Sequence, residues 1–222
     1  LVERKHNNLN PFWRIKEKNE LIKIHKIENL DIFSVCIDYV IDNSLTESVS
    51  CQKYFYNFIQ KCKCLNFKKI IIPLMEKSFI SKKNINELKI ILKNTREILG
   101  DSEIELCLEV NNEPEELLEF LKDLESEKVN CVFDTGNRIL ISKNIINDFK
   151  ILKPYISHIH LKDRDLNGNN VEFGSGIVNF SEFFDFLKII KYKGSFVFET
   201  FKGEEPVLQM NKNIEKFKSF IS

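Results

Sequence analysis

Residues 129–161 read VNCVFDTGNRILISKNIINDFKILKPYISHIHL, and this stretch decides the fold class. Its two ends, Val129–Phe133 and Ile156–Leu161, are short runs rich in β-branched and aromatic residues with polar borders, which is strand patterning. Between them, Ile145–Leu152 carries a helical pattern. Working outward in both directions, the same alternation continues. Strands are predicted at Asp31–Val40, Lys69–Met75, Glu103–Val110 and Ser195–Glu199. Helices are predicted at Ser48–Leu65, Ile85–Leu99, Pro114–Leu124 and Phe180–Ile190. Local signals support the helices. Asn84 precedes Ile85 as an N-cap with Glu87 three residues on. Glu113-Pro-Glu-Glu116 sets a proline and acids at a helix start, where the dipole favours them. Leu117, Leu118, Leu121 and Leu124 follow as an apolar stripe. Asn179 and Ser181 stand in similar positions before Phe183-Phe184. Strict βα alternation predicts an α/β protein with a parallel sheet, closed into a barrel or doubly wound. No linker or low-complexity segment interrupts it, so residues 1–222 read as one domain.

Composition narrows the function. The 222 residues are 43% hydrophobic and 30% charged, an ordinary globular balance. Thirty-three basic residues offset 33 acidic ones, which removes the electrostatic case for a nucleic-acid or membrane-surface binder. Ile70-Ile-Ile-Pro-Leu-Met75 is far too short to span a bilayer, and the first residues lack the apolar core of a signal peptide. None of the six cysteines forms a CxxC pair. Cys36, Cys107 and Cys131 lie in strand-like runs, and Cys62 and Cys64 in a helical one. They read as reduced thiols of a cytoplasmic protein.

The chemistry lies at strand ends. Glu109 ends Leu-Cys-Leu-Glu, Asp134 ends Cys-Val-Phe-Asp, and Glu199 ends Phe-Val-Phe-Glu. His158-Ile-His160-Leu-Lys162-Asp163 ends the strand between the last two. In a parallel βα barrel these ends meet on one face, where catalytic sites sit. Acids after such apolar runs are costly unless a cation compensates them. Three carboxylates and an imidazole suit one divalent ion: Mn²⁺, Mg²⁺, Co²⁺ or Zn²⁺. His158 and His160 lie on the same side of their strand, so alternation alone does not choose between them. Lys162 and Asp163 point to the mouth of the site as candidate contacts for a substrate oxygen or phosphate. Glu76 and Asp38, read as ending two earlier strands, are further candidates for hydroxyl contacts.

These motifs resemble the xylose isomerase-like TIM barrel superfamily, in its sugar phosphate isomerase/epimerase branch. The most specific are His158-Ile-His-Leu-Lys-Asp163, Phe173-Gly-Ser-Gly-Ile-Val-Asn-Phe180 and Tyr192-Lys-Gly-Ser-Phe-Val-Phe-Glu199. Phe133-Asp-Thr-Gly-Asn137, Leu106-Cys-Leu-Glu-Val110, Asn10-Pro-Phe-Trp13 and Ser34-Val-Cys-Ile-Asp-Tyr39 add to the likeness. It implies a (β/α)8 barrel with a single metal on Glu109, Asp134, His160 and Glu199, His160 being the second His of its motif. His158 then falls to a supporting or substrate-side role. It implies an isomerase or epimerase of a sugar or sugar phosphate, with Glu109 and Glu199 moving the proton through an ene-diolate. Many ketose epimerases of the superfamily carry a substrate-contacting His where this chain has Asn137, which leaves Asn137 as the candidate contact there.

Three other functions fit the same frame: a dehydratase of a keto-polyol, a non-enzymatic sugar-binding barrel, and an endonuclease IV-like repair enzyme. Only four His are present, too few for the three-zinc cluster of the last. Counting back from Glu199 as the end of strand eight, Leu1-Val-Glu3 reads as the tail of strand two. The first strand and helix of the barrel are then expected to be missing from this sequence. Homo-oligomer formation is left open.

Overall fold

The computed structural model describes residues 11–14, 20, 32–65, 67–142, 144–201 and 203–221. The expected strand tail at Leu1-Val-Glu3, as well as His6 and His25, lie outside the described residues. In chain order the elements are α1 (Pro11–Arg14), β1 (Ser34–Cys36), α2 (Tyr39–Asp42), α3 (Val49–Leu65), β2 (Lys69–Leu74), α4 (Ile85–Leu99) and β3 (Glu105–Val110). There follow α5 (Pro114–Asp123), β4 (Val129–Asp134), α6 (Thr135–Ile141), α7 (Ile145–Leu152), β5 (Ile156–Leu161), β6 (Asp163–Arg164) and β7 (Asn170–Val171). The chain closes with α8 (Phe180–Ile189), β8 (Ser195–Phe198) and α9 (Pro206–Ile221). One sheet runs in the order β1-β2-β3-β4-β5-β8, and β6 and β7 form an antiparallel ribbon. The β1–β2, β2–β3 and β5–β8 pairs are parallel. This is the α/β architecture that the alternation predicts. Among the described residues no helix is long and apolar enough to cross a membrane.

By contact density the chain divides into two units: Leu1–Asn112 with Glu119–Cys131, and Glu113–Leu118 with Val132–Ser222. In the first unit, every residue of β2 is buried, as expected of a strand covered on both faces. Pro73 interrupts that strand without harm. It shares the parity of Ile71, whose carbonyl accepts from Ile37 N–H on the β1 side. The β1 register ends at Cys36↔Ile71, so no ladder bond is asked of Pro73 there. Helix α4 buries Leu88, Ile91, Leu92, Thr95 and Leu99, a stripe in which each leucine contributes roughly 1.5–3 kcal/mol. Gly100 ends it at φ +55°, donating to Arg96 O, a conformation that favours glycine. Ser48 caps α3 by accepting from Cys51 N–H.

Two expectations are corrected here. The first predicted strand ends at Cys36, because Asp38 turns the chain into α2. Asn84 does not cap α4 with its side chain; it accepts from Ser81 N–H and Oγ and donates to Phe79 O instead.

The second unit is built on phenylalanine. Phe133, Phe149 and Phe183 pack with ring centroids 5.0–5.8 Å apart, and Phe173 lies 4.4 Å from Phe180. True caps set two helix starts. Asn144 accepts from the N–H groups of Ile146 and Asn147, and Asn179 accepts from Glu182 N–H. Helices α6 and α9 were not predicted. Helix α9 buries Gln209 and Asn213, a polar pair whose amides bond to each other and to Thr200 Oγ1.

Candidate metal and proton-transfer site

Strand β4 ends at Asp134, where a parallel strand gives way to α6. The carboxylate divides its work. Oδ1 accepts from Asn137 N–H at 2.8 Å, the N-cap bond of α6. Oδ2 lies 3.2 Å from Lys162 Nζ and 3.9 Å from His160 Nδ1. Asp134 is 3% exposed, so these neighbours are what make its charge tolerable.

His160 is the next-to-last residue of β5, and Glu199 directly follows β8. Glu199 N–H donates to Leu161 O and extends the β5–β8 ladder by one bond, which fixes where its side chain starts. One oxygen, Oε2, lies 2.9 Å from His160 Nδ1; the other accepts from Lys162 Nζ. Burial pushes the Glu199 carboxyl up. The His160 ring and the Lys162 ammonium outweigh that effect and hold it at about 2. Glu199 is therefore an anion at neutral pH, and its side chain is still 46% exposed.

Lys162 is a built feature. Thr135 Oγ1 accepts from Lys162 N–H at 3.0 Å and donates to Lys162 O at 2.6 Å. Its stem passes over Gly136, where an added Cβ would lie 2.5 Å from Lys162 Cγ. Lys162 is 6% exposed, with its ammonium between two carboxylates. Thr135 and Gly136 serve this placement, and the sequence reading attached no role to either.

The structure thus brings together Asp134, His160, Lys162 and Glu199 within the second unit. Glu109 lies in the first unit, buried as the next-to-last residue of β3 and in register with Pro73. Glu109, Asp134, His160 and Glu199 can each offer one metal-ligand atom. The observed pieces fit a divalent ion: an exposed and a buried carboxylate already share a cation, and an imidazole nitrogen faces both.

Several substrate candidates have other roles. His158 has no exposed surface; it pairs across the sheet with Ser195 Oγ at 2.6 Å and stands edge-on to the His160 ring. It supports His160 from behind. Asp163 is also fully buried, and accepts from the N–H groups of Arg164, Gly176 and Val178. It staples the 164–178 loop and has no face for a sugar. In the first unit, Asp38 sits in the turn after β1 and accepts from Cys36 Sγ. Glu76 is exposed at the start of a short 3₁₀ turn with φ +47°, so it does not end a strand. Asn137 Oδ1 accepts from Arg164 Nη2 at 3.1 Å, which brings in an arginine that the sequence reading did not single out.

Comparison with known proteins adds three findings. The family model described as xylose isomerase-like TIM barrel matches residues 18–220. A relative from Haemophilus influenzae, named putative L-ribulose-5-phosphate 3-epimerase SgbU, is 38% identical over 86 residues. That match spans 35% of this chain and only 30% of the relative. Among solved structures, a xylose isomerase domain protein from Planctomyces limnophilus superposes with TM-score 0.78 at 15% identity, covering 91% of this chain and 82% of that one. The IOLI protein with a bound zinc atom superposes with TM-score 0.75 at 15% identity, covering 100% and 87%.

Proposed function

Since the chain belongs to the xylose isomerase-like TIM barrel family, we propose that it is a divalent-metal-dependent isomerase or epimerase of a sugar or sugar phosphate. The observation that carries this reading is the convergence of Asp134, His160 and Glu199 around the Lys162 ammonium. Glu109, one strand earlier at a matching strand end, completes the ligand set in this proposal. The named activity of the Haemophilus relative and the zinc of the IOLI protein agree with it.

A divalent ion held there supplies Lewis acidity toward the adjacent carbonyl and hydroxyl oxygens of an open-chain sugar. The chain's own groups do the rest. Glu199 is ionised and partly open to solvent, so its carboxylate can take the proton from the carbon beside the carbonyl. The C–H electron pair then moves toward the carbonyl oxygen, giving an ene-diolate. Lys162, fixed by Thr135 and Gly136, places a positive charge where that oxygen gains negative charge. Glu109 would return a proton that it takes up from solvent, and Glu199 would release the one it holds to solvent, which restores both carboxylates. Return to the same carbon from the opposite face epimerises; return to the neighbouring carbon isomerises. Asp134 keeps one oxygen on the cap of α6 and the other in the site, which holds its orientation.

Two measurements test this. Elemental analysis and titration with Mn²⁺ or Zn²⁺ should give about one ion per chain, with binding at least tenfold weaker in Glu199→Gln. A folded wild-type protein that binds no divalent ion at micromolar concentration overturns the metal site. Ketoses incubated in heavy water should acquire deuterium at the carbon beside the carbonyl without losing water. Dehydrated product would move the assignment to a lyase, and absence of exchange across a broad ketose panel would move it to sugar binding.

A further inference from the structure

We infer that Arg164 is the seat for a phosphate group carried by the substrate, away from the reacting carbons; the inference rests on the isomerase or epimerase reading above. Arg164 follows His160 and Lys162 at two-residue steps along an extended segment, which puts the three on one side. Its guanidinium is held at two corners, Nη1 donating to Gly168 O at 3.0 Å and Nη2 to Asn137 Oδ1 at 3.1 Å. Both acceptors are neutral. Nε is buried and has no hydrogen-bond partner among the described residues. Nor does any described carboxylate lie within ion-pair distance of this arginine.

The two nearest acids in sequence are already engaged. Asp163 accepts three backbone N–H groups. Asp165 accepts from Asn167 N–H, Asn169 N–H and the Asn169 amide. A partly buried cation without a counter-charge is costly, and a buried N–H without an acceptor adds to the cost. An anion with two parallel oxygens answers the first need, because Nη1 and Nη2 each keep a second N–H beyond the bonds to Gly168 and Asn137, and that fork matches phosphate geometry. The position fits as well. Asn137 donates its N–H to Asp134 and accepts from Arg164, so a single residue separates the arginine from the proposed metal ligand. A sugar phosphate carries its dianion several carbons from the carbonyl, and so needs a cation set apart from the reacting carbons. Lys162 is committed to Asp134 and Glu199, which leaves Arg164 as the cation for the remote group.

The test compares L-ribulose 5-phosphate with L-ribulose as substrates for wild type, Arg164→Met and Arg164→Lys. The ratio of kcat/KM for the phosphorylated over the plain sugar should fall about 100-fold in Arg164→Met, mainly through KM. Arg164→Lys keeps the charge but not the fork, and should lie between. An unchanged ratio in folded Arg164→Met overturns the inference, and the lysine variant gives the same reading should the methionine variant not fold. Titration with inorganic phosphate, followed by calorimetry, reads the seat without turnover. Binding in wild type that weakens at least tenfold in Arg164→Met supports the seat even where neither sugar reacts, a result that would count against the isomerase reading alone. Phosphate binding that ignores Arg164 overturns the seat and leaves the isomerase reading intact.

Discussion

Gly136 and Lys162 show how one missing side chain can place a charge. The Lys162 stem occupies the volume that a Cβ at position 136 would take, with Cγ, Cβ and Cδ at 2.5–2.9 Å from it. Lys162 is 6% exposed and pinned at its backbone by Thr135, so it has little room to yield. Alanine is favoured over glycine in a helix by about 1 kcal/mol, yet overpacking costs about 1–3 kcal/mol. Gly136→Ala should therefore lower stability by up to about 2 kcal/mol in urea unfolding and reduce turnover by displacing the ammonium. In a Lys162→Ala background the loss should shrink without vanishing, since Cγ and Cδ are gone but the Cβ at position 162, 2.9 Å away, remains; a loss of equal size in both backgrounds would refute the contact. At this scale the acids stand out in the sequence because charge after an apolar strand demands compensation, whereas His160 is preferred over His158 through the family resemblance alone. The sequence did not reveal the partners. Asp163 was misread because its hydrogen-bond donors at Gly176 and Val178 lie 13 and 15 residues away. Arg164 looks like any loop arginine until its two-residue spacing from His160 and Lys162 is noticed.

Helix starts carry the next scale. Asn144 and Asn84 look alike in sequence, each a polar residue before an isoleucine, but they act differently. Asn144 accepts two backbone N–H groups of α7 through one oxygen. Asn84 uses both ends of its amide to close the 79–84 turn. Asn144→Ala should cost about 1 kcal/mol, and Asn144→Asp should recover most of it, since only an acceptor is needed. Asn84→Asp should not recover the Asn84→Ala loss, because Phe79 O then lacks its donor. Urea midpoints of the four variants decide the point, and equal rescue at both sites would contradict these assignments. Most elements were legible because their apolar periods are strong. Helix α6 was missed because Thr135-Gly136-Asn137 opens it with poor helix formers. Helix α9 was missed because its buried positions include Gln209 and Asn213, which no apolar stripe predicts.

Over the whole molecule the βα alternation was legible, since each of the six strands of the sheet is a separate short run rich in apolar residues and leaves its mark in composition. The cysteines were legible for the same reason, and their burial gives a measurable consequence. All six are free thiols. Cys51, Cys62, Cys107 and Cys131 are buried, Cys36 is half-buried beside Asp38, and Cys64 is exposed. Burial pushes the Cys51 thiol up to about 11, and drives Cys62 upward against the smaller opposing effects of its backbone hydrogen bond and Lys61. The thiolate is the reactive form, so a thiol reagent at pH 8 should modify Cys64 first, and Cys64→Ser should remove that fast phase. Cys36 should follow. The remaining four should react only as the chain opens, accelerating with sub-denaturing urea. Linkage sets the sign of the pH effect. An unfolded Cys51 thiol ionises near the ordinary value of 9.0 and the folded one only at about 11. Its contribution to stability is thus complete below pH 9 and is lost as pH rises from 9 toward 11. Unfolding free energy measured at pH 8 and pH 10 should therefore fall less in Cys51→Ala than in wild type. An equal fall in the two proteins would show that Cys51 ionises as readily in the fold as outside it.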